Sequence, residues 1–246
     1  MNEYEVCFKC HAGSNNKPQR QGFADFGGTV YRQSMVGAPD PYNAAFEFKS
    51  SIARHNVTQP RSGANVPSLR FNMIDFSGNQ TGPALGGQIY CSDCHNSDQA
   101  RSSGKNGPNG PHASAWPHLL ERRYDANTPP AAPGAQVGPV PYIAGVVGSY
   151  AMCEKCHDVS GQLLGGGDTV FGLHNRHVVQ DQLSCSACHA PHGIQGGDTT
   201  HHGNLIDPDM AIVLGTSGSS GDTYINTATR TCNLQCHGHQ HTNTPY

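Results

Sequence analysis

Ten cysteines and fifteen histidines carry most of the chemistry open to this 246-residue chain, and their placement is regular. Every cysteine belongs to a close pair, and a histidine follows each pair at once. Four runs have two residues between the cysteines: Cys7-Phe-Lys-Cys10-His11, Cys91-Ser-Asp-Cys94-His95, Cys153-Glu-Lys-Cys156-His157 and Cys185-Ser-Ala-Cys188-His189. The fifth, Cys232-Asn-Leu-Gln-Cys236-His237, has three. The C-x-x-C-H spacing lets two thiols form thioethers to the vinyl groups on one edge of a heme. The histidine then passes beneath the ring as proximal iron ligand. A three-residue gap needs a small backbone bulge but allows the same bonds. The spacing therefore predicts five covalent c-type hemes, about one per 50 residues. The predicted proximal ligands are His11, His95, His157, His189 and His237.

Zinc and disulfides are the competing uses of paired cysteines. The histidines discriminate. Histidine fills about 6% of positions, so finding it after the second cysteine five times in five is about a one-in-a-million coincidence. A disulfide needs no such neighbour. Structural zinc takes ligands in fours, and five three-ligand units do not divide that way.

Ten histidines remain after the proximal set: His55, His112, His118, His174, His177, His192, His201, His202, His239 and His241. Twice as many as five irons need, they predict bis-histidine coordination throughout. Methionine, present five times, is the competing ligand. A six-coordinate iron leaves no position for a substrate, so the pattern points to electron transfer rather than catalysis. His174 and His177 sit at i and i+3, share one face of a helical turn, and are expected to serve two different irons. His192 is fixed by Pro191, and His55 is the only spare histidine between the first two motifs. His112 follows Pro111 in a Gly-Pro turn and is preferred to His118. The expected distal set is His55, His112, His174, His177 and His192, with His241 and His118 in reserve. His201, His202 and His239 fit solvent or propionate contacts better.

The elements that must position these groups have little ordinary material. Leu, Ile, Val and Phe together make only about 17% of the chain, below the ~20% that usually accompanies a self-sufficient core. Thirty glycines and 17 prolines disfavour long regular elements. The net charge of −3 is too small for a self-repelling disordered chain. Hemes would supply the missing apolar surface, with the polypeptide as wrapper. The expected fold is mostly irregular loop with short α-helices at the attachment motifs and little β, forming one pentaheme unit over residues 1–246. The motif starts, at 7, 91, 153, 185 and 232, follow no fixed period. Residues 127–141 read as a proline-rich connector, residues 215–222 as a surface loop, and residues 23–32 as a hairpin or loop. Residues 46–55 read as a helical turn delivering His55. No stretch approaches 18 apolar residues, which excludes a helical membrane span. One tryptophan and no basic run argue against nucleic-acid binding. Heme attachment of this kind takes place outside the cytoplasm, so an export signal removed before residue 1 is expected.

Longer runs carry a family resemblance. Cys156-His157-Asp-Val…His174-Asn-Arg-His177-Val-Val…Cys185-Ser-Ala-Cys188-His189-Ala-Pro-His192-Gly resembles the doubled C-x-x-C-H modules of multiheme c-type cytochromes. Cys91-Ser-Asp-Cys94-His95-Asn-Ser-Asp…Gly-Pro-His112-Ala-Ser…His118-Leu-Leu and the ending Cys236-His237-Gly-His239-Gln-His241 resemble outer-surface cytochromes of metal-reducing bacteria, a group that includes conductive filaments. The resemblance covers roughly residues 1–15 and 45–246. It implies an extracellular, non-enzymatic electron conduit, a nanowire subunit that stacks head to tail and exchanges electrons with redox proteins or extracellular acceptors. A monomeric periplasmic shuttle is the alternative, and a multiheme reductase a more distant one. In small tetraheme cytochromes a similar His-x-x-His pair serves two hemes. The first motif begins six residues from the N-terminus and the last ends nine residues before the C-terminus, which places entry and exit hemes near the chain ends.

The holoprotein mass is expected to exceed that of the chain by five hemes. A mass of four, with free thiols at Cys232 and Cys236, would contradict the fifth site.

Overall fold

The structure, a computed structural model, describes residues 1–12, 43–49, 53–60, 66–127, 138–167, 171–194, 203–215, 224–226, 228–236 and 238–246. It is a small mixed fold of short helices and short strands joined by irregular chain, with no closed barrel among the described residues. Among them, no helix is long and apolar enough to cross a membrane. The chain forms two compact units: Met1–His55 with Asn127–Pro139 and Ser184–Tyr246, and Asn56–Ala126 with Val140–Leu183.

In the first unit, α1 (Glu3–His11) carries the first motif. Its start is held by Glu5, whose carboxylate accepts from the Asn2 N–H at 2.7 Å. This is the reciprocal half of a capping box. α2 (Ala44–Lys49) packs against α1, with the Phe8 and Phe48 ring centroids 6.2 Å apart and Lys49 Nζ 5.6 Å from the Phe8 ring centre. The helical turn expected before His55 is thus present. A three-stranded antiparallel sheet closes the chain, in the order β3 (Tyr224–Asn226), β4 (Thr231–Cys236), β5 (His239–Pro245). Its buried aliphatic side chains include Ile225 and Leu234, with Ile212, Val213 and Leu214 also buried in this unit.

In the second unit, β1 (Asn72–Ile74) and β2 (Gln80–Pro83) form a small antiparallel pair. The turn between them is tied by Asp75, which accepts from the Ser77 and Asn79 N–H groups at 2.8 Å each. The second and third motifs sit on α3 (Cys91–Cys94) and at α4 (Ala151–Glu154). The fourth motif sits on α5 (Cys185–Cys188) in the first unit. Short helices therefore surround four of the five motifs, as expected. The fifth departs: Cys232 and Cys236 lie on strand β4. Threonine at 231 and the hydrogen-bonded ladder to β5 favour extended chain there.

Most of residues 127–141, all of residues 23–32 and residues 216–222 of the expected loop fall outside the described residues, as do His201, His202 and His237.

The second unit buries charge where a protein of ordinary composition would bury aliphatic side chains. Glu121 and Arg122 are wholly inaccessible, and Lys155 and Glu154 nearly so. Glu121 Oε1 lies 3.0 Å from Lys155 Nζ and 3.2 Å from Arg122 Nε, while Oε2 accepts from Asn96 Nδ2 at 2.9 Å. The Arg122 guanidinium also covers the Phe76 ring at 4.5 Å and donates to the Ile74 carbonyl at 2.6 Å. Burial is the largest single influence and pushes the Glu121 carboxyl upward, but the Lys155 charge, the hydrogen bonds from Ser103 and Lys155 and the Arg122 charge together outweigh it and hold the group below the ordinary glutamate range.

Removing Glu121 strands two buried cations. Glu121→Ala is expected to cost about 3–5 kcal/mol in denaturant unfolding at neutral pH. A carboxyl depressed in the folded state stabilises fully above its unfolded value, and that contribution fades as pH falls through the folded value. The wild-type advantage should therefore shrink on acidification below about pH 4. A loss under about 1 kcal/mol at pH 7 would contradict this role.

Candidate functional site

In a helical turn, residues i, i+3 and i+4 share one face, so C-x-x-C-H turns both thiols and the imidazole the same way. The second, third and fourth motifs are built on this plan. The histidine N–H closes the turn onto the carbonyl of the first cysteine: His95 to Cys91 at 2.7 Å, His157 to Cys153 at 2.8 Å, His189 to Cys185 at 2.9 Å.

Each of these three turns is crossed by a distant segment in the same way. The carbonyl of the second cysteine accepts a backbone N–H from that segment: Glu121 to Cys94 at 2.8 Å, Arg70 to Cys156 at 2.7 Å, Asp207 to Cys188 at 2.8 Å. One residue earlier, an aliphatic residue forms an isolated antiparallel bridge with the histidine: His95 with Leu120, His157 with Leu69, His189 with Ile206. The crossing segment then anchors the ring. Nδ1 of His95 meets the His118 carbonyl at 2.9 Å, Nδ1 of His189 the Asn204 carbonyl at 3.0 Å, and Nδ1 of His157 the Ser68 hydroxyl at 3.0 Å.

Two of the crossings share a backbone device. His118 and Leu119 have φ of 60° and 54°, and Asn204 and Leu205 have 54° and 62°. Two consecutive left-handed residues turn a carbonyl back toward the imidazole. That conformation is costly for a leucine and is kept only where the surroundings fix it.

A carbonyl on Nδ1 requires that nitrogen to carry the proton, which leaves the basic lone pair on Nε2. Metal-binding histidines are typically oriented in this manner. Three of the expected distal ligands are tied through Nδ1 as well. His177 Nδ1 meets the Leu173 carbonyl at 2.9 Å, His192 Nδ1 meets Glu47 Oε2 at 2.8 Å, and His55 Nδ1 meets the Pro191 carbonyl. Burial pushes the His55 imidazole below its usual value; the Pro191 carbonyl works against this and nearby His192 adds to it. The neutral imidazole so favoured is the form that binds iron.

His174 and His177 share the aromatic neighbour Phe171, with ring centroids at 4.9 and 5.5 Å. His112 and His118 are both exposed. The His118 backbone orients His95, a contribution that its side chain gives no sign of. His241 lies on β5 opposite Leu234, and His239 opposite Cys236. His11 ends α1 and is exposed, and Cys7 and Cys10 lie on the same helix.

None of the ten cysteines is in a disulfide. Burial pushes the Cys94 and Cys156 thiols up to about 12 and the Cys232 thiol up to about 11. Such desolvation opposes the thiolate that zinc would need but not a thioether. Among the described residues, no three His, Cys, Asp or Glu side chains converge as a metal cage. Heme requires none, because the porphyrin supplies four of the six ligands. The second, third and fourth motifs fit the group in turn geometry, the second and fourth also in histidine tautomer, the second and third also in the desolvation of Cys94 and Cys156, and the first fits it in its helix.

The fifth motif does not fit in the conformation described. Four residue steps along the strand separate its sulfur-bearing positions by about 13 Å, against about 4.5 Å of axial rise between i and i+3 of a helix.

His174→Ala and His177→Ala are each expected to turn a different heme high-spin in the absorption spectrum. The same iron responding to both changes, or none responding, would contradict a two-heme role.

No family model, no curated protein and no solved structure matches this chain.

Proposed function

We propose that this chain is a multiheme c-type cytochrome that carries electrons through covalently bound, bis-histidine hemes. We further propose that it works outside the cytoplasm, as a subunit of a head-to-tail filament. The observation that carries the first proposal is the threefold clamp behind His95, His157 and His189. Three chain segments with different spacings to their motifs converge on one arrangement of cysteine carbonyl, histidine bridge and Nδ1 anchor. Ten thiols held for disulfides would not call for it.

When bound, a heme iron supplies a one-electron ferric/ferrous couple. The chain's part is to hold each proximal imidazole with Nε2 presented, to offer a second imidazole from the distal set, and to keep water from the ring edges. Six-coordination favours low potential and little reorganisation between oxidation states, which suits transfer over catalysis. In the second unit, the second and third motifs lie side by side. Lys155, inside the third motif, donates to the Asp93 carbonyl inside the second at 2.6 Å, and Cys94 is close enough to Cys156 to help push that thiol upward, after burial itself. Such contact is what a short electron hop requires.

The fifth motif shares the residue chemistry. Attachment there would draw residues 232–236 out of the β4 ladder, so heme loading and loss of that strand should go together.

The filament part rests on the family resemblance. Electron microscopy of native material should show filaments, and the ferric protein should be entirely low-spin. Small particles alone at high concentration would favour the periplasmic shuttle. A high-spin ferric component in wild type would favour an enzyme with an open iron site.

A further inference from the structure

His55 and His192 come from segments 137 residues apart in number, yet the first unit straps them together. Arg54 and Gly193 form an antiparallel bridge, and the Ile194 N–H donates to the Ala53 carbonyl at 3.2 Å. Gly193 is required for this approach. Its φ is +145°, and a Cβ there would lie 2.5 Å from the Glu47 carbonyl oxygen and 2.9 Å from Arg54 Cβ. The strap puts His192 against α2, where its ring lies 5.0 Å from that of Phe48. Phe48 in turn lies 6.2 Å from Phe8 of the first motif.

The two histidines differ in what holds Nδ1. His55 meets a neutral backbone carbonyl, that of Pro191. His192 meets the carboxylate of Glu47 at 2.8 Å, and the Glu47 side chain is only 3% exposed while that of His192 is 31% exposed. A carboxylate shielded from water polarises the Nδ1–H bond more strongly than a carbonyl does. It moves electron density through the ring to Nε2 and makes the imidazole a stronger donor. A stronger axial donor stabilises ferric over ferrous iron and lowers the reduction potential.

We propose that Glu47 is a positioning and tuning residue. Through His192 it lowers the potential of one heme relative to the heme served by His55, and so builds an energetic step between two neighbouring carriers. This rests on the reading of His192 as an iron ligand. Glu47 does not touch the iron, and its effect is electronic.

Two variants of the holoprotein separate the possibilities. Glu47→Gln keeps the side-chain volume and an oxygen acceptor but removes the charge. Spectroelectrochemistry at pH 7 should then show one midpoint potential rising, the others unmoved and every heme still low-spin. A packing role alone would instead disturb the spin state or the fold and leave the potentials of correctly folded protein in place. His192→Ala tests the underlying ligation and should turn one heme high-spin. If His192→Ala does so while Glu47→Gln moves no potential, the tuning role is overturned and the ligation stands. If His192→Ala leaves every heme low-spin, His192 is not a ligand and the proposal falls with it.

Discussion

A single backbone hydrogen bond, made three times, sets what the rest of this protein can do. The carbonyl of the second cysteine in a C-x-x-C-H turn accepts an N–H from a segment far away in sequence. A one-turn helix has no stability of its own, because nucleation costs more than one turn returns. The crossing segment supplies the missing partner. It also places an aliphatic residue beside the histidine and an acceptor at Nδ1. The turn and the ring orientation are thus fixed together, and at His95 and His189 the tautomer with them, so loosening one loosens the others.

This arrangement explains how so polar a chain folds at all. Aliphatic and aromatic side chains are scarce, and the second unit buries Glu121, Arg122, Lys155 and Glu154 in their place. Buried ion pairs seldom add net stability, but breaking one is expensive. They specify an arrangement more than they drive collapse. In our account the driving apolar surface comes from the hemes, and the charge network fixes how the second and third motifs meet.

The cysteine pairs and their histidines were legible from residue type and spacing alone, and four of the five motifs take the short helices that spacing requires. The fifth was not legible: its extra residue left the conformation open, and the ladder to β5 prevails in this structure. The crossing segments were also hidden. His118-Leu119-Leu120-Glu121 and Asn204-Leu205-Ile206-Asp207 are alike as polar, Leu, aliphatic, acid, but they follow their histidines at intervals of 25 and 17 residues to the bridging position. Leu69 precedes its partner His157, so no single spacing links the three. His118 was weighed as an iron ligand for its side chain, whereas its carbonyl is what reaches His95. The Glu47–His192 contact joins residues 145 apart and depends on Gly193, which no local pattern reveals.

Amide hydrogen exchange on the native holoprotein tests the central claim most directly. The N–H groups of Arg70, Glu121 and Asp207 should be among the slowest to exchange, since each opens only when its C-x-x-C-H turn comes apart. Deleting the cysteines of one motif should abolish protection at its own crossing residue first: at Arg70 for the third motif, at Glu121 for the second, at Asp207 for the fourth. Exchange of these three amides at the rate of exposed loops, or protection unchanged after the cysteines are removed, would contradict the account.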